Sequence, residues 1–249
     1  MYFCSRILII KKMKKDDTYS FVNANMKLAD AVAQYKNLIT LFPRLGISLG
    51  FGDKTVSQVC EENRISLPLF LLVSNAYAQK DYNPDIEALI ACPIIDIVNY
   101  LKASHEDYLN YNFPHIEAHL ERIMQDWSPK YKTLITNFYA DYKHEVAQHF
   151  KHEEEIVFPY IRQLVEKGKN KNRPKGISFD KQHSEIEDKL QDFTNLLMKY
   201  IPADNRQREL INMLMDIFML AEDIENHTIM EDKVLIPYIK YLESHVSEL

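Results

Sequence analysis

Glycine, cysteine and long apolar runs are scarce in this chain, and each shortage argues against a class of protein. Only 5 of 249 residues are glycine, and long stretches rich in Leu, Ile, Glu, Lys and Tyr lack the turn clusters that separate strands. The three cysteines, Cys4, Cys60 and Cys92, are odd in number and contain no Cys-x-x-Cys, so neither a disulfide framework nor a thiolate zinc site is indicated. An all-helical protein in a reducing cytoplasm is expected.

The chain lacks long apolar runs and an excess of basic charge, which argues against a membrane-spanning segment and against binding of nucleic acid. The best apolar stretch, Leu67 to Val73, is far shorter than the roughly 18 residues that span a bilayer. The first residues hold only four apolar residues in a row, Ile7 to Ile10, and no cleavage pattern of a signal peptide. A formal net charge of -6 gives no broad basic field for a phosphate backbone. We expect a soluble protein without a nucleic-acid or membrane partner.

Turn residues divide the chain into three parts. Residues 1–21 are expected to form a disordered tail, unless Met13 is the natural start. Short apolar patches broken by proline and glycine predict a small domain of three or four short helices over 22–80. The polar segment KDYNPD, residues 80–85, is the predicted linker to the remainder, 90–249.

The remainder of the chain shows four long helical patterns with short connections. They run from about Ile94 to Trp127, Tyr131 to Glu166, Phe179 to Tyr200 and Arg206 to Ser247. Pro114 is a candidate interruption of the first. Four long helices joined in this way form an antiparallel bundle, so the predicted fold class is an all-α four-helix bundle preceded by a small helical domain.

A repeat at an offset of 78 residues carries the chemistry. HFKHEEEIVFPYI, from His149, aligns with HTIMEDKVLIPYI, from His227, so that the His, the Glu and the closing Pro-Tyr-Ile coincide. The same offset carries His105 onto His183. Each half therefore reads His and then, 44 residues later, His-x-x-x-Glu, which implies two equivalent half-sites.

The spacing of the repeat places its polar side chains together. Residues i and i+4 share a helix face, so His149 lies beside Glu153 and His227 beside Glu231. A step of 44 residues fits one helix out and one helix back, so each antiparallel helix pair would supply two imidazoles and one carboxylate. Burying these groups without compensation would be costly, and a metal pair would offset that cost.

The predicted metal ligands are four imidazoles and two carboxylates. They are His105, His149, Glu153, His183, His227 and Glu231. Six nitrogen and oxygen donors without cysteine favour two iron ions, with manganese or zinc as possible substitutes, over a closed tetrahedral zinc site.

The remaining histidines do not repeat the ligand pattern. The counterpart of His152 is Met230. His144 and its counterpart Glu222 each lie five residues before a ligand histidine, which is roughly 140° away around a helix. His144 and His152 are expected at the surface or behind the ligands. His115 and His119 share a helix face, but their counterparts are Phe193 and Leu197, so we expect a structural role for them. Pro159 and Pro237 should kink or end their helices.

These residues resemble the hemerythrin-like HHE cation-binding domains, and more closely the repair-of-iron-centres di-iron proteins of oxidative and nitrosative stress. The resemblance covers about 90–249. It implies that Glu153 and Glu231 bridge the two irons, together with an oxo or hydroxo bridge. The segment that begins MKLADAVAQYKNLITLFPRLGI also looks like the small helical domain that precedes the bundle in those proteins.

The chain departs from that family at a pair of adjacent cysteines. In the family they follow Gly-Ile, but here Gly46-Ile47 leads into SLGF, residues 48–51. Cys60, in the next predicted helix, is expected to be buried rather than reactive.

The resemblance implies a stress-response protein that helps to restore damaged iron-sulfur proteins or that handles nitric oxide. Two other functions stay open. One is a module that binds or senses oxygen or nitric oxide and reports through the N-terminal domain, and the other is a structural bundle that holds any divalent ion. A homodimer is also left open.

Overall fold

The computed structural model describes residues 21–167, 180–201 and 206–245. Residues 1–20 of the expected N-terminal tail, which include Cys4, and most of the basic segment KGKNKNRPKG lie outside the described residues. Within the described ranges the regular elements are helices, and a single bridge joins Lys27 to Thr55. The prediction of an all-α fold is confirmed. None of the helices in these ranges has the length and apolar character needed to cross a membrane.

Short helices fill the N-terminal part of the chain. They are α1 (Leu28–Gln34), a 3₁₀ turn (Lys36–Thr40), α2 (Leu41–Leu45), α3 (Val56–Asn63), α4 (Leu67–Ala78) and α5 (Ile86–Ile90). Local capping sets their ends: Thr55 and Gln58 form a capping box before α3, and Asp85 accepts a hydrogen bond from the first turn of α5. Gly46 closes α2 with a φ of 69°, a left-handed conformation that favours glycine.

Four long helices form the rest of the molecule. The first consists of α6 (Ile94–Asp107) and α7 (Phe113–Ile123), the second of α8 (Pro129–His152) and α9 (Phe158–Lys167), the third of α10 (Asp180–Tyr200), and the fourth of α11 (Gln207–Met230) and α12 (Ile236–His245). The start of the first helix packs on the end of the second, and α10 packs on both α8 and α11. α7 packs on α11 and closes the ring. The helices therefore form an antiparallel bundle.

Three of the long helices contain a five-residue π-helical segment. The segments are Tyr108–Asn112, Glu153–Val157 and Glu231–Leu235. Each is followed by one apolar residue and then by Pro114, Pro159 or Pro237. Proline lacks an N–H and its ring clashes with the carbonyl four residues earlier, and the wider π turn takes up that clash. α10 contains no proline and continues without a π segment.

The apolar interior has two parts. One combines the N-terminal helices with the neighbouring end of the bundle, where Phe70 and Val73 belong to the same cluster as Ile161 and Ile239. The other fills the far end of the bundle around residues such as Tyr139. Because the first cluster runs across both regions, the boundary near residue 80 stays a prediction.

A buried ion cluster also joins the two regions. Arg44, on α2, donates to Asp107 at 3.1 Å and to both oxygens of Asp223. Its side chain is 1% exposed, and its guanidinium carbon lies 4.7 Å from the ring centroid of Tyr108. Thr40 donates a further hydrogen bond to Asp223 at 3.1 Å. A cation from the N-terminal helices is thus held by two carboxylates of the bundle.

Candidate metal centre

Six ionisable side chains meet inside the bundle at the boundary between the two apolar clusters. All six are between 0 and 6% exposed. They are the residues that the repeat singles out: His105 on α6, His149 on α8, His183 on α10, His227 on α11, and Glu153 and Glu231 at the starts of two π segments. Three histidines and both glutamates thus come from helices that a proline and a π segment interrupt.

The side chains form two groups that could each hold one metal ion. In the first group, one ligand atom from each of His105, Glu153, His227 and Glu231 lies within 4.8 Å of the others. The Nε2 atom of His105 is 3.1 Å from Oε2 of Glu153, and Nε2 of His227 is 3.2 Å from Oε1 of Glu231. The two Nε2 atoms lie 3.3 Å apart.

The second group shares both carboxylates with the first. It contains His149 and His183 with the same Glu153 and Glu231. Nε2 of His149 is 3.0 Å from Oε1 of Glu153, and Nε2 of His183 is 2.9 Å from Oε2 of Glu231. Each glutamate therefore directs one oxygen to each group, which is the arrangement of a carboxylate that bridges two ions.

The histidines that share a group in the structure are not the ones that share a predicted half-site. The sequence spacing assigned His105 and His149 to one half-site, but His105 instead faces His227, and His149 faces His183, with ring centroids 5.0 Å apart in both pairs. The repeat maps the first group onto the second. Each group is thus built from one histidine of each half of the chain, because the first long helix packs on the fourth and the second on the third.

The donor set fits a pair of cations. None of the four carboxylate oxygens of Glu153 and Glu231 receives a hydrogen bond of acceptable geometry from the residues that the structure describes. Buried carboxylates without donors are costly. The spacing of 2.9 to 3.2 Å between these oxygens and the imidazoles is close to the edge, about 3.0 Å, of an octahedron with bonds of about 2.1 Å. A cation in each group would have imidazole nitrogens and carboxylate oxygens directed at it.

The electrostatics of the cluster also favour cations. Burial raises the pKa of Glu153 well above its ordinary range, and the Glu231 carboxylate raises it further. Burial acts in the same direction on Glu231, but His227 and His183 outweigh it and hold that pKa well below its ordinary range. Burial and the neighbouring His227 lower the pKa of His105. Without added positive charge, the two carboxyl groups therefore resist ionising together.

Two further carboxylates lie behind clustered histidines. The Nδ1 atom of His105 lies 3.0 Å from Oε1 of Glu154, and Nδ1 of His183 lies 3.6 Å from Oδ2 of Asp232. Burial lowers the pKa of His183, but Asp232 and Glu231 outweigh it and raise the pKa to about 9. In the neutral ring, which is the form that binds a metal, a proton on Nδ1 leaves the Nε2 lone pair directed into the cluster. These two carboxylates were not predicted from the sequence, although an acidic residue directly follows each clustered glutamate in both copies of the repeat.

Removal of these outer carboxylates should weaken metal binding without unfolding the protein. Glu154→Gln and Asp232→Asn keep size but lose charge, and outer partners of this kind contribute roughly 10- to 100-fold to metal affinity. Competition with a chromophoric chelator measures the change. Glu155→Gln is the matched control, since Glu155 is exposed and lies 4.0 Å from Lys151. Equal affinities in all three variants would contradict the assigned role.

Aromatic rings and a small cavity border the cluster. Phe150 stacks on His105 at a centroid distance of 4.0 Å, and Tyr108 meets His227 edge-on at 5.7 Å. A cavity of about 10 Å³ is lined in part by His149, His183 and His227. This volume is close to the smallest that holds one water molecule. The cavity therefore has room for one small molecule beside these three imidazoles.

The other polar and thiol residues lie away from the cluster. His144 is exposed and His152 is partly exposed, in line with the prediction. Cys60 and Cys92 are buried and free. Burial raises the pKa of Cys60 to about 11, so its thiolate is disfavoured. His115 and His119 lie at the surface beside Asp216.

A comparison with models of known protein families finds a match to the bundle. The family model described as the hemerythrin HHE cation binding domain matches residues 96–239. The matched range begins within α6 and ends within α12, and it includes all six clustered side chains. A search of the curated proteins finds no match to the chain.

Proposed function

We propose, from the premise that this chain belongs to the hemerythrin HHE cation-binding domain family, that its six clustered side chains hold two iron ions. The family binds metal cations, and the buried histidine and glutamate groups could hold them. The observation that supports a pair of ions is the sharing of Glu153 and Glu231 between the two groups. The absence of thiolate among the donors favours iron over a closed zinc site.

The protein side chains would hold the ions while leaving room for a small ligand. Each group offers two imidazole nitrogens and two carboxylate oxygens, which is fewer than the six donors that an octahedral ion takes. The cavity beside His149, His183 and His227 adjoins both groups. Iron bound here would supply one-electron chemistry and positions for a diatomic molecule such as oxygen or nitric oxide.

The proposed role is iron handling in oxidative or nitrosative stress, including repair of damaged iron-sulfur proteins. The four clustered imidazoles and two carboxylates support chemistry at iron. Of the cysteines that the structure describes, Cys60 and Cys92 lie in the apolar interior with raised pKa values, which favours repair through the metal centre over repair through either of these thiols. The positions after Ile47 that differ from the repair family carry no thiol either.

A repair assay tests this role. Iron-loaded protein would be mixed with an iron-sulfur enzyme inactivated by nitric oxide, and recovery of that enzyme's activity would be followed. We expect recovery with the unmodified protein and with Cys60→Ser, but none with Glu231→Ala, because Glu231 contributes to both groups. Cys60→Ser is the matched control for the buried thiol.

Two results would redirect the proposal. Reversible binding of oxygen or nitric oxide without any recovery would favour the binding or sensing module. Recovery that Cys60→Ser abolishes would show that the thiol takes part, contrary to its burial.

A further inference from the structure

Three potential metal ligands lie together on the outer surface of the bundle. His115 and His119 stand one turn apart on α7, and Asp216 lies on α11. One ligand atom of each lies within 4.8 Å of the other two. The side chains of His115 and Asp216 are 46% and 38% exposed. This group shares no residue with the buried cluster.

The packing of α7 on α11 beneath these three side chains fixes the backbone that carries them. α7 and α11 contact each other through buried residues that include Ile116, Leu120 and Ile217. The Tyr111 ring lies parallel to the His115 ring, at a centroid distance of 6.2 Å and an angle of 5°. The two helices therefore hold the three side chains at a common level before any ion binds.

The distance between His115 and Asp216 suits two ligands of one metal ion better than a hydrogen-bonded ion pair. Nε2 of His115 is 3.4 Å from Oδ2 of Asp216, which is longer than an ordinary hydrogen bond. It is close to the edge, about 3.3 Å, of a tetrahedron with bonds of about 2.05 Å, as in zinc sites. An exposed His–Asp pair also contributes little stability and would not require the second imidazole of His119, whose ring centroid lies 4.6 Å from that of His115.

We propose that His115, His119 and Asp216 form a second, surface site for one divalent transition-metal ion, with Zn²⁺ as the ion that fits best. Two imidazoles and one carboxylate leave a fourth tetrahedral position for water, as in zinc sites that stay open to solvent. The site faces a cleft of about 280 Å³ that extends along Asp107 to Arg44. A ligand of the ion would therefore enter from solvent and not through the buried cluster.

Equilibrium dialysis of the full-length, iron-loaded protein against Zn²⁺ tests the proposal. Zinc and iron are then measured on the same sample. We expect one additional zinc per chain, with the iron content unchanged. The double variant His115→Ala, His119→Ala should lose this zinc. Asp216→Asn should lower the zinc affinity by a larger factor than the roughly 10- to 100-fold that loss of an outer-shell partner costs. His245→Ala is the matched control, because His245 is an exposed histidine at the end of α12.

Three outcomes would overturn the proposal. They are zinc retained by the double variant, zinc lost equally from the His245 control, and zinc taken up only as iron leaves. The last result would place the zinc in the buried cluster. Since the variants alter exposed side chains, retained iron in each of them shows that the bundle remains folded.

Discussion

Glu231→Ala should remove both metal ions from the bundle, whereas loss of one histidine should weaken mainly one. Protein made in iron-sufficient cells is expected to carry about two irons per chain. Glu231 directs Oε1 towards His227 in one group and Oε2 towards His183 in the other. Its loss therefore takes a donor from both ions and also removes a buried negative charge that balances them. Metal analysis of the purified variants measures the effect.

Two comparisons make this test specific. His149→Ala should retain more iron than Glu231→Ala, because His149 belongs to the second group only. Glu225→Ala is the matched control on the same helix, since Glu225 is 38% exposed and pairs with Lys80. Iron near one ion per chain in Glu231→Ala would mean that the carboxylate serves a single ion.

Arg44→Met should destabilise the folded protein more than any surface charge substitution. The change leaves Asp107 and Asp223 without their shared cation in a region where Asp223 is only 6% exposed. Breaking a buried ion pair by removing one partner typically costs about 3–5 kcal/mol. Urea unfolding of the metal-loaded protein measures the change in the free energy of unfolding.

One further variant is a control for Arg44→Met, and one additional substitution should rescue part of its stability. Lys27→Met removes an exposed pair with Asp53, whose side chain is 91% exposed, and should leave the unfolding midpoint unchanged. Addition of Asp223→Asn to Arg44→Met should restore part of the loss, because it removes one of the stranded charges. Equal midpoints for the Arg44 and Lys27 variants would contradict the structural role of the ion cluster.

The long helices could be predicted almost to the residue because proline and polar segments mark their ends. The second was expected from Tyr131 to Glu166 and runs from Pro129 to Lys167. The π segments were not foreseen. Pro159 predicts a disturbance of the helix, but whether the chain kinks, ends or widens depends on how the helix packs against its neighbours.

The members of the cluster were easier to predict than their pairing. Spacing along one helix places His149 beside Glu153, and the repeat shows that this pattern occurs twice. Spacing does not show which helices face each other across a bundle. That depends on tertiary packing, which sets His105 against His227.

The surface position of His115 shows how a π segment shifts the register between the two copies of the repeat. At an offset of 78 His115 falls on Phe193, which is fully buried. The π segment Tyr108–Asn112 adds one residue relative to α10, so that the buried Ile116 occupies the position equivalent to Phe193. His115 is thereby turned to the surface, a shift that the sequence alone does not reveal.

Anomalous diffraction at the iron absorption edge, from crystals of protein made in iron-sufficient cells, would locate the iron in the bundle. We expect two iron positions, one bound by His105 and His227 and the other by His149 and His183, with Glu153 and Glu231 in contact with both. A single position, or one iron bound by His105 together with His149, would contradict the assignment of the two groups.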